Sequence, residues 1–170
     1  VLMHGYSYAQ KETRGMDSEP LVHMPKVWIA ESSMRWEKQI RKRLQTEIEL
    51  LARVPLLSKR VPKKWGIVFT ERMPTAGFHN PTVKDPEGNP AVFLSPAEMI
   101  IGGNGGVLTH EVFHLIHHIA RPGEESWIQE GLALIFEQQV SKKLLRQIPM
   151  AFELSTTSLA RKIVWADISD

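Results

Sequence analysis

Cysteine is absent from this chain of 170 residues, which excludes disulfide bonds and thiol chemistry. No apolar run approaches the roughly eighteen residues that a membrane-spanning helix needs, so no membrane span is expected. Neither sign of charge dominates, because 21 lysine and arginine residues face 19 aspartate and glutamate residues. Nucleic-acid binding is therefore not expected.

The cellular compartment is not determined, since no signal peptide can be read and a start at Val1 leaves secretion open. The oligomeric state is equally undecided.

Enough apolar residues are present to build a sizeable core, since they make up 42% of the chain. Together with the length, this predicts a single domain over residues 1–170. Residues 1–25 mix glycine, proline and polar residues without a sustained period, so we expect an irregular lead-in there.

The most informative stretch runs from Thr109 to His114 and reads THEVFH. A helix would place His110 and His114 on one face, one turn apart. Neutral imidazole nitrogens are good zinc ligands, and Glu111 would point towards the water that such an ion carries. The spacing therefore predicts a metal site with a carboxylate beside it.

A second motif follows at residues 127–133, which read WIQEGLA. It resembles the Trp-x-x-Glu-Gly-x-Ala segment of gluzincin zinc metallopeptidases, of the zinc aminopeptidase and thermolysin-like clan. The likeness spans residues 108–137 and includes Glu137, where those aminopeptidases also tend to carry an acid. It implies that Zn²⁺ is held by His110, His114 and Glu130, with Glu111 as the general base.

The same resemblance implies a fold and an activity. The fold is an α+β, zincin-like domain with a small twisted mixed sheet, a backing helix, an active-site helix and a glutamate helix. The activity is hydrolysis of a peptide or protein substrate through a metal-activated water.

Several features depart from the family pattern. Only 15 residues separate His114 from Glu130, fewer than in the aminopeptidases. The Gly-x-Met-Glu-Asn signature of exopeptidases is not visible before His110, which favours an endopeptidase. The family's oxyanion-stabilising tyrosine has no counterpart, because the only tyrosines are Tyr6 and Tyr8. Either another group stabilises the oxyanion, or the tyrosine belongs to a region downstream of this chain. In the thermolysin-like branch an acid follows the ligand glutamate by four residues, and Leu134 stands there instead.

Other interpretations stay open. His118 lies on the same helical face, but the rise of about 5.4 Å per turn carries it past an ion held by the first two histidines. Glu124 and Glu125 are expected to complement a helix dipole. The protein could also be a non-catalytic, zinc-stabilised peptide-binding module, or a metallohydrolase acting on another substrate class.

Local patterns place the remaining elements. Apolar residues recurring every three or four positions predict a backing helix over residues 30–53. Residues 65–70 and 91–95 are predicted to be strands, joined by a long loop or broad hairpin over 74–90. By the resemblance, 91–95 is the candidate edge strand that pairs with substrate, and an ordinary internal strand is the alternative.

The active-site segment has its own boundaries. The glycine-rich run 102–106 is expected to be a flexible entry to a helix over 107–120, which ends before Pro122. Ser126 and Gln129 form a capping-box pattern, so a second helix is expected to start there and to carry Glu130 in its second turn. One or two further helices are expected after Pro149.

Overall fold

The computed structural model describes residues 2–7, 23–73, 75–101 and 105–141. These ranges contain both helices and strands, which confirms the α+β class. The strands are β1 (Met3–Ser7), β2 (Lys26–Ala30), β3 (Gly66–Phe69), β4 (Gly77–Phe78) and β5 (Ala91–Leu94). The helices are a 3-10 helix (Glu31–Trp36), α1 (Glu37–Ala52), α2 (Pro55–Ser58), α3 (Pro96–Ile101), α4 (Val107–Ala120) and α5 (Ser126–Val140).

The strands form one small mixed sheet in the order β1-β2-β3-β5-β4. The central strands β2, β3 and β5 run parallel, and the outer strands β1 and β4 are antiparallel to their neighbours. All residues of β3 and β5 are buried, as expected for parallel strands covered on both faces. Helices α1, α4 and α5 share their core cluster with one face of this sheet.

The backing helix is confirmed over most of its predicted length. Ile40, Leu44, Ile48 and Leu51 are buried on one face of α1, because a spacing of three or four residues returns side chains to the same side of a helix. At the start of the predicted stretch, Ala30 belongs to β2 and Glu31–Trp36 forms the 3-10 helix instead.

The lead-in prediction is wrong at its start. Met3–Ser7 forms the edge strand β1, paired with β2 from Met3 opposite Ala30 to Ser7 opposite Lys26. The paired residues are 19 to 27 positions apart in the sequence, so no local pattern reveals the pairing. Neither β2 nor α3 was expected. Within the predicted lead-in, residues 8–22 lie outside the described part of the chain.

The predicted edge strand is also wrong, and its alternative is correct. The strand at 91–94 is internal, because β5 lies between β3 and β4. The antiparallel edge on this side is β4, inside the stretch predicted as a loop or hairpin. Strand β5 ends at Leu94. Pro96 is the first residue of α3, a position where its missing N–H costs nothing. Within the described residues, no helix is both long enough and apolar enough to cross a membrane.

Candidate metal centre

Helix α4 presents two histidines side by side. It spans Val107–Ala120, as predicted, and buries apolar residues such as Leu108, Val112 and Leu115 against the core. This packing fixes the rotation of the helix and turns the opposite stripe towards a cavity. His110 and His114 lie on that stripe, with their Nε2 atoms 3.2 Å apart.

Helix α5 folds back along α4 and adds the carboxylate of Glu130. Glu130 Oε2 is 3.4 Å from His110 Nε2, and Glu130 Oε1 is 3.3 Å from His114 Nε2. Within the residues that the structure describes, this is the only group of three His, Cys, Asp or Glu side chains whose ligand atoms all lie within 4.8 Å of one another. The structure thus brings together the three predicted ligands.

The separations fit a zinc ion. Nitrogen and oxygen ligands at about 2.0–2.1 Å from a tetrahedral zinc lie about 3.4 Å from one another. The distances between the three side chains, 3.2 to 3.4 Å, match this value. Two imidazoles and one carboxylate are also the donor set of a catalytic zinc site, which leaves a fourth position for water or substrate.

Glu137 holds the first histidine in place. It lies two turns after Glu130 on α5, and its Oε2 accepts a hydrogen bond from His110 Nδ1 at 3.1 Å. Nδ1 therefore carries the proton, and the lone pair of Nε2 points to the ligand group. Burial would lower the pKa of His110, but this hydrogen bond and the neighbouring carboxylates outweigh it and raise the pKa.

Sequence analysis did not assign a partner to Glu137, although its spacing from Glu130 indicates that the two carboxylates lie on one side of α5. Seven residues are two helical turns, so both carboxylates must share one face of α5. Leu134, which stands where the thermolysin-like branch has an acid, is exposed instead.

Glu111 lies beside the ligand group and is buried. Its Oε2 has no hydrogen-bond partner among the described residues. Burial raises the pKa of Glu111 to about 7, with His110 opposing the shift and Glu130 and Glu137 adding to it. A carboxyl group with this pKa can both take up and release a proton near neutral pH.

His114 is neutral and available as a ligand. Burial, followed by the charges of the neighbouring histidines, lowers its pKa to about 3.

These side chains line a cavity of about 510 Å³ between β4, α4 and α5. The lining residues are Thr75, Ala76, Gly77, Phe78, His79, Val107, His110, Glu111, His114, His118, Ser126, Gln129, Glu130 and Glu137.

A residue from the backing helix secures the start of α4. Glu47 is fully buried, and its Oε2 accepts hydrogen bonds from the backbone N–H of Gly106 at 2.9 Å and of Leu108 at 3.4 Å. Gly106 caps the helix with φ of 110°, a conformation that glycine adopts without strain. Sequence analysis missed this contact, because it joins residues about sixty positions apart.

Comparison with known proteins assigns no family to this chain. No protein-family model matches the chain, and no curated protein is significantly similar to it. The functional argument therefore depends on the residues of the site and their geometry.

Two details of the predicted connection are corrected. The capping box is wrong: Glu125 occupies the N-cap of α5 without a side-chain cap, and the Gln129 amide donates to the backbone oxygen of Glu124 at 2.7 Å. The Glu124 side chain lies 2.6 Å from His117 Nε2, so it pairs with a histidine rather than only with the helix dipole.

His118 is not part of the ligand group, as its position one turn further along α4 predicted. Residues 102–104 of the glycine-rich run and the helices predicted after Pro149 lie outside the described residues.

Proposed function

We propose that the protein is a zinc-dependent peptidase of the gluzincin type, acting as an endopeptidase rather than an aminopeptidase. The observation that carries this proposal is the convergence of His110, His114 and Glu130 at zinc-ligand separations, with the buried carboxylate of Glu111 beside them. A purely structural zinc site has no use for a buried carboxylate next to its ligands.

Each side chain has a separate task. His110, His114 and Glu130 hold the ion, and Glu137 orients His110. When bound, zinc lowers the pKa of water and polarises the substrate carbonyl. Glu111 accepts the proton of the attacking water and returns it to the departing amine, a role that suits its position in the cavity beside the ligand group.

Strand β4 is the proposed binding edge for an extended substrate. It pairs with β5 on one side, and no described strand pairs with its other side. Gly77 and Phe78 of this strand line the cavity next to Glu111. A peptide that adds to an open edge gains backbone hydrogen bonds and places its carbonyl groups along the cleft.

A non-catalytic peptide-binding module is the second candidate. The supporting observation is that no tyrosine, lysine or arginine appears among the described residues lining the cavity. Such groups commonly donate hydrogen bonds to the oxyanion of a peptidase transition state. The position of Glu111 weighs against this candidate, because peptide capture needs no base.

The test is elemental analysis of the purified, dialysed protein, beside Glu130→Ala and a control, Glu125→Ala, whose glutamate is exposed at the N-cap of α5. We expect one zinc per chain in the wild type and the control, and loss of zinc in Glu130→Ala. A panel of internally quenched peptides then tests hydrolysis. A protein that takes up no zinc after reconstitution contradicts the proposal, and a zinc protein that cuts no peptide favours the binding module.

A further inference from the structure

The third ligand of the metal site, Glu130, lies on the least buried part of α5. Its side chain is 58% exposed, and Ser126 and Trp127 in the turn before it are exposed as well. Between residues 126 and 131, Ile128 is the only apolar residue that packs against the core, and it is half-buried. The buried apolar residues of α5 begin further along, at Leu132. Apolar packing therefore contributes little to fixing the turn that carries the ligand.

The start of α5 also lacks a side-chain cap. The first N–H groups of a helix have no partner within it, and Glu125 at the N-cap does not bond to any of them with its side chain. The residue before it, Glu124, makes a different contact. Its backbone oxygen accepts a hydrogen bond from Gln129 Nε2 at 2.7 Å. Gln129 is buried and directly precedes Glu130, so the residue beside the ligand is tied to the connection between the two helices.

The side chain of Glu124 reaches back to α4. Its Oε2 lies 2.6 Å from His117 Nε2, and its Oε1 lies 3.7 Å from Arg121 Nη1. The side chain is only 17% exposed, whereas that of the next residue, Glu125, is exposed. Glu124 therefore joins the last two turns of α4 to the first turn of α5, across a connection that runs from residue 121 to residue 125.

His117 is itself held firmly by the core. It is buried, and its ring stacks on that of Phe113 with centroids 5.1 Å apart and planes 20° apart. Phe113 stacks in turn on Phe136 of α5, with centroids 5.5 Å apart. Close packing of this kind leaves a ring little freedom to move. A carboxylate in contact with His117 is therefore fixed relative to α4.

We propose that Glu124 is a positioning residue for the metal site, which holds the start of α5 against α4 through His117 and Gln129 and so keeps Glu130 in the ligand group. Ligands have to lie within about 0.5 Å of their productive positions, so a small shift of this turn matters. His110 and His114 do not depend on Glu124, because α4 carries both. The proposal rests on the metal site of the proposed function, and not on peptide cleavage.

The first test is the affinity of the metal-free full chain for Zn²⁺, measured by titration calorimetry. Glu124→Ala should bind zinc about tenfold more weakly, since outer partners of metal ligands commonly contribute tenfold or more. The matched control is Glu125→Ala, which removes an exposed glutamate from the same connection and should bind as the wild type does. Glu124→Gln keeps a side-chain oxygen for His117 and should recover most of the affinity. Wild-type affinity in Glu124→Ala overturns the proposal.

A general loss of stability would also weaken zinc binding, so a cycle with Glu130→Ala separates the two explanations. Glu130→Ala keeps both histidines, and their weaker binding can be titrated at higher zinc concentration. If Glu124 acts through Glu130, adding Glu124→Ala to this variant should change the remaining affinity by less than about twofold. An equal loss in both backgrounds means that Glu124 only supports the fold, and it overturns the proposal.

Amide hydrogen exchange of the metal-free chain tests the same contact without zinc. In Glu124→Ala the amides of residues 126–130 should exchange faster than in the wild type, whereas those of residues 107–117 should not change. Unchanged exchange at residues 126–130 overturns the proposal. If Glu124→Ala does not fold, both measurements are made on His117→Phe, which keeps a ring to stack on Phe113 and removes the contact with Glu124.

Failure of this proposal is distinct from failure of the peptidase proposal. Wild-type zinc affinity in Glu124→Ala overturns the positioning role even if the wild type cleaves peptides. The expected cycle in a protein that binds zinc but cleaves no peptide supports the positioning role and contradicts the peptidase. A wild type that binds no zinc contradicts both proposals.

Discussion

Gly77 of β4 lies directly against the carboxylate of Glu111. A Cβ atom placed on Gly77 would be 2.7 Å from both Cγ and Oε1 of Glu111, a separation at which something must move. The edge strand approaches the proposed base this closely only because residue 77 has no side chain. Gly77 is therefore a positioning residue for the mechanism proposed above.

Gly77→Ala should displace Glu111 while leaving the ligand group intact. We expect kcat to fall by about tenfold to a hundredfold, because small misplacements of a reacting group have effects of this size. Zinc affinity should not change. Gly131→Ala on α5 is the control, since a Cβ there meets no atom within 4 Å. Equal kcat values in both variants would show that the carboxylate adapts to the added methyl group.

Glu111→Gln removes the base and keeps the shape of the side chain. Zinc should remain bound, because Glu111 is not a member of the ligand group. Peptide hydrolysis should fall by about a hundredfold to ten-thousandfold, the usual contribution of a positioned base. The measurement is the initial rate on one peptide beside the zinc content of the same sample. Retained activity contradicts the role of Glu111.

Glu137→Ala removes the hydrogen-bond partner of His110 Nδ1. We expect zinc affinity to fall by about tenfold to a hundredfold, since a ligand histidine without its partner is less basic and less well oriented. Glu137→Gln, which keeps an accepting oxygen, should lie between this variant and the wild type. Competition with a chromogenic chelator measures the affinities. Unchanged affinity in Glu137→Ala would mean that packing alone orients His110.

Glu47 should make stability depend on pH. Burial raises its pKa above 4.5, against the lowering effect of the Gly106 N–H and the charge of Arg43. A carboxyl group with a raised folded-state pKa favours folding while it is protonated, below pH 4.5, and this contribution is lost as pH rises through the folded-state value. Glu47→Gln has no carboxyl group to titrate at this position. The free energy of unfolding of this variant should therefore increase relative to that of the wild type as pH rises.

Urea unfolding at several pH values from 4 upward measures this difference. Glu49→Gln, on the exposed side of the same helix, is the control and should follow the wild type. A constant difference between Glu47→Gln and the wild type across the range would contradict the raised pKa. Glu47→Ala should be less stable than either at every pH, by about 1–3 kcal/mol, because it leaves buried backbone N–H groups unpaired.

Sequence alone was sufficient where the pattern is local. The spacing of His110 and His114 and the breaker at Pro122 predicted α4 over its observed span. Buried positions every three or four residues predicted α1, and the short connection predicted that α5 brings Glu130 back to the histidines. These inferences succeed because the residues that share one face of a helix lie within one or two turns of each other. The hydrophobic period of a helix can therefore be recognised in a short stretch of sequence.

The tertiary structure decided what depends on distant partners. In the sheet, β5 is an internal strand and β4 is an edge strand, and Met3–Ser7 forms the other edge strand. It also placed Glu47 at the start of α4 and Gly77 against Glu111. Strand pairing and the approach of side chains from separate elements are set by packing of the whole core. The sequence thus determined which residues face the site along each helix, and only the packed fold determined which elements meet there.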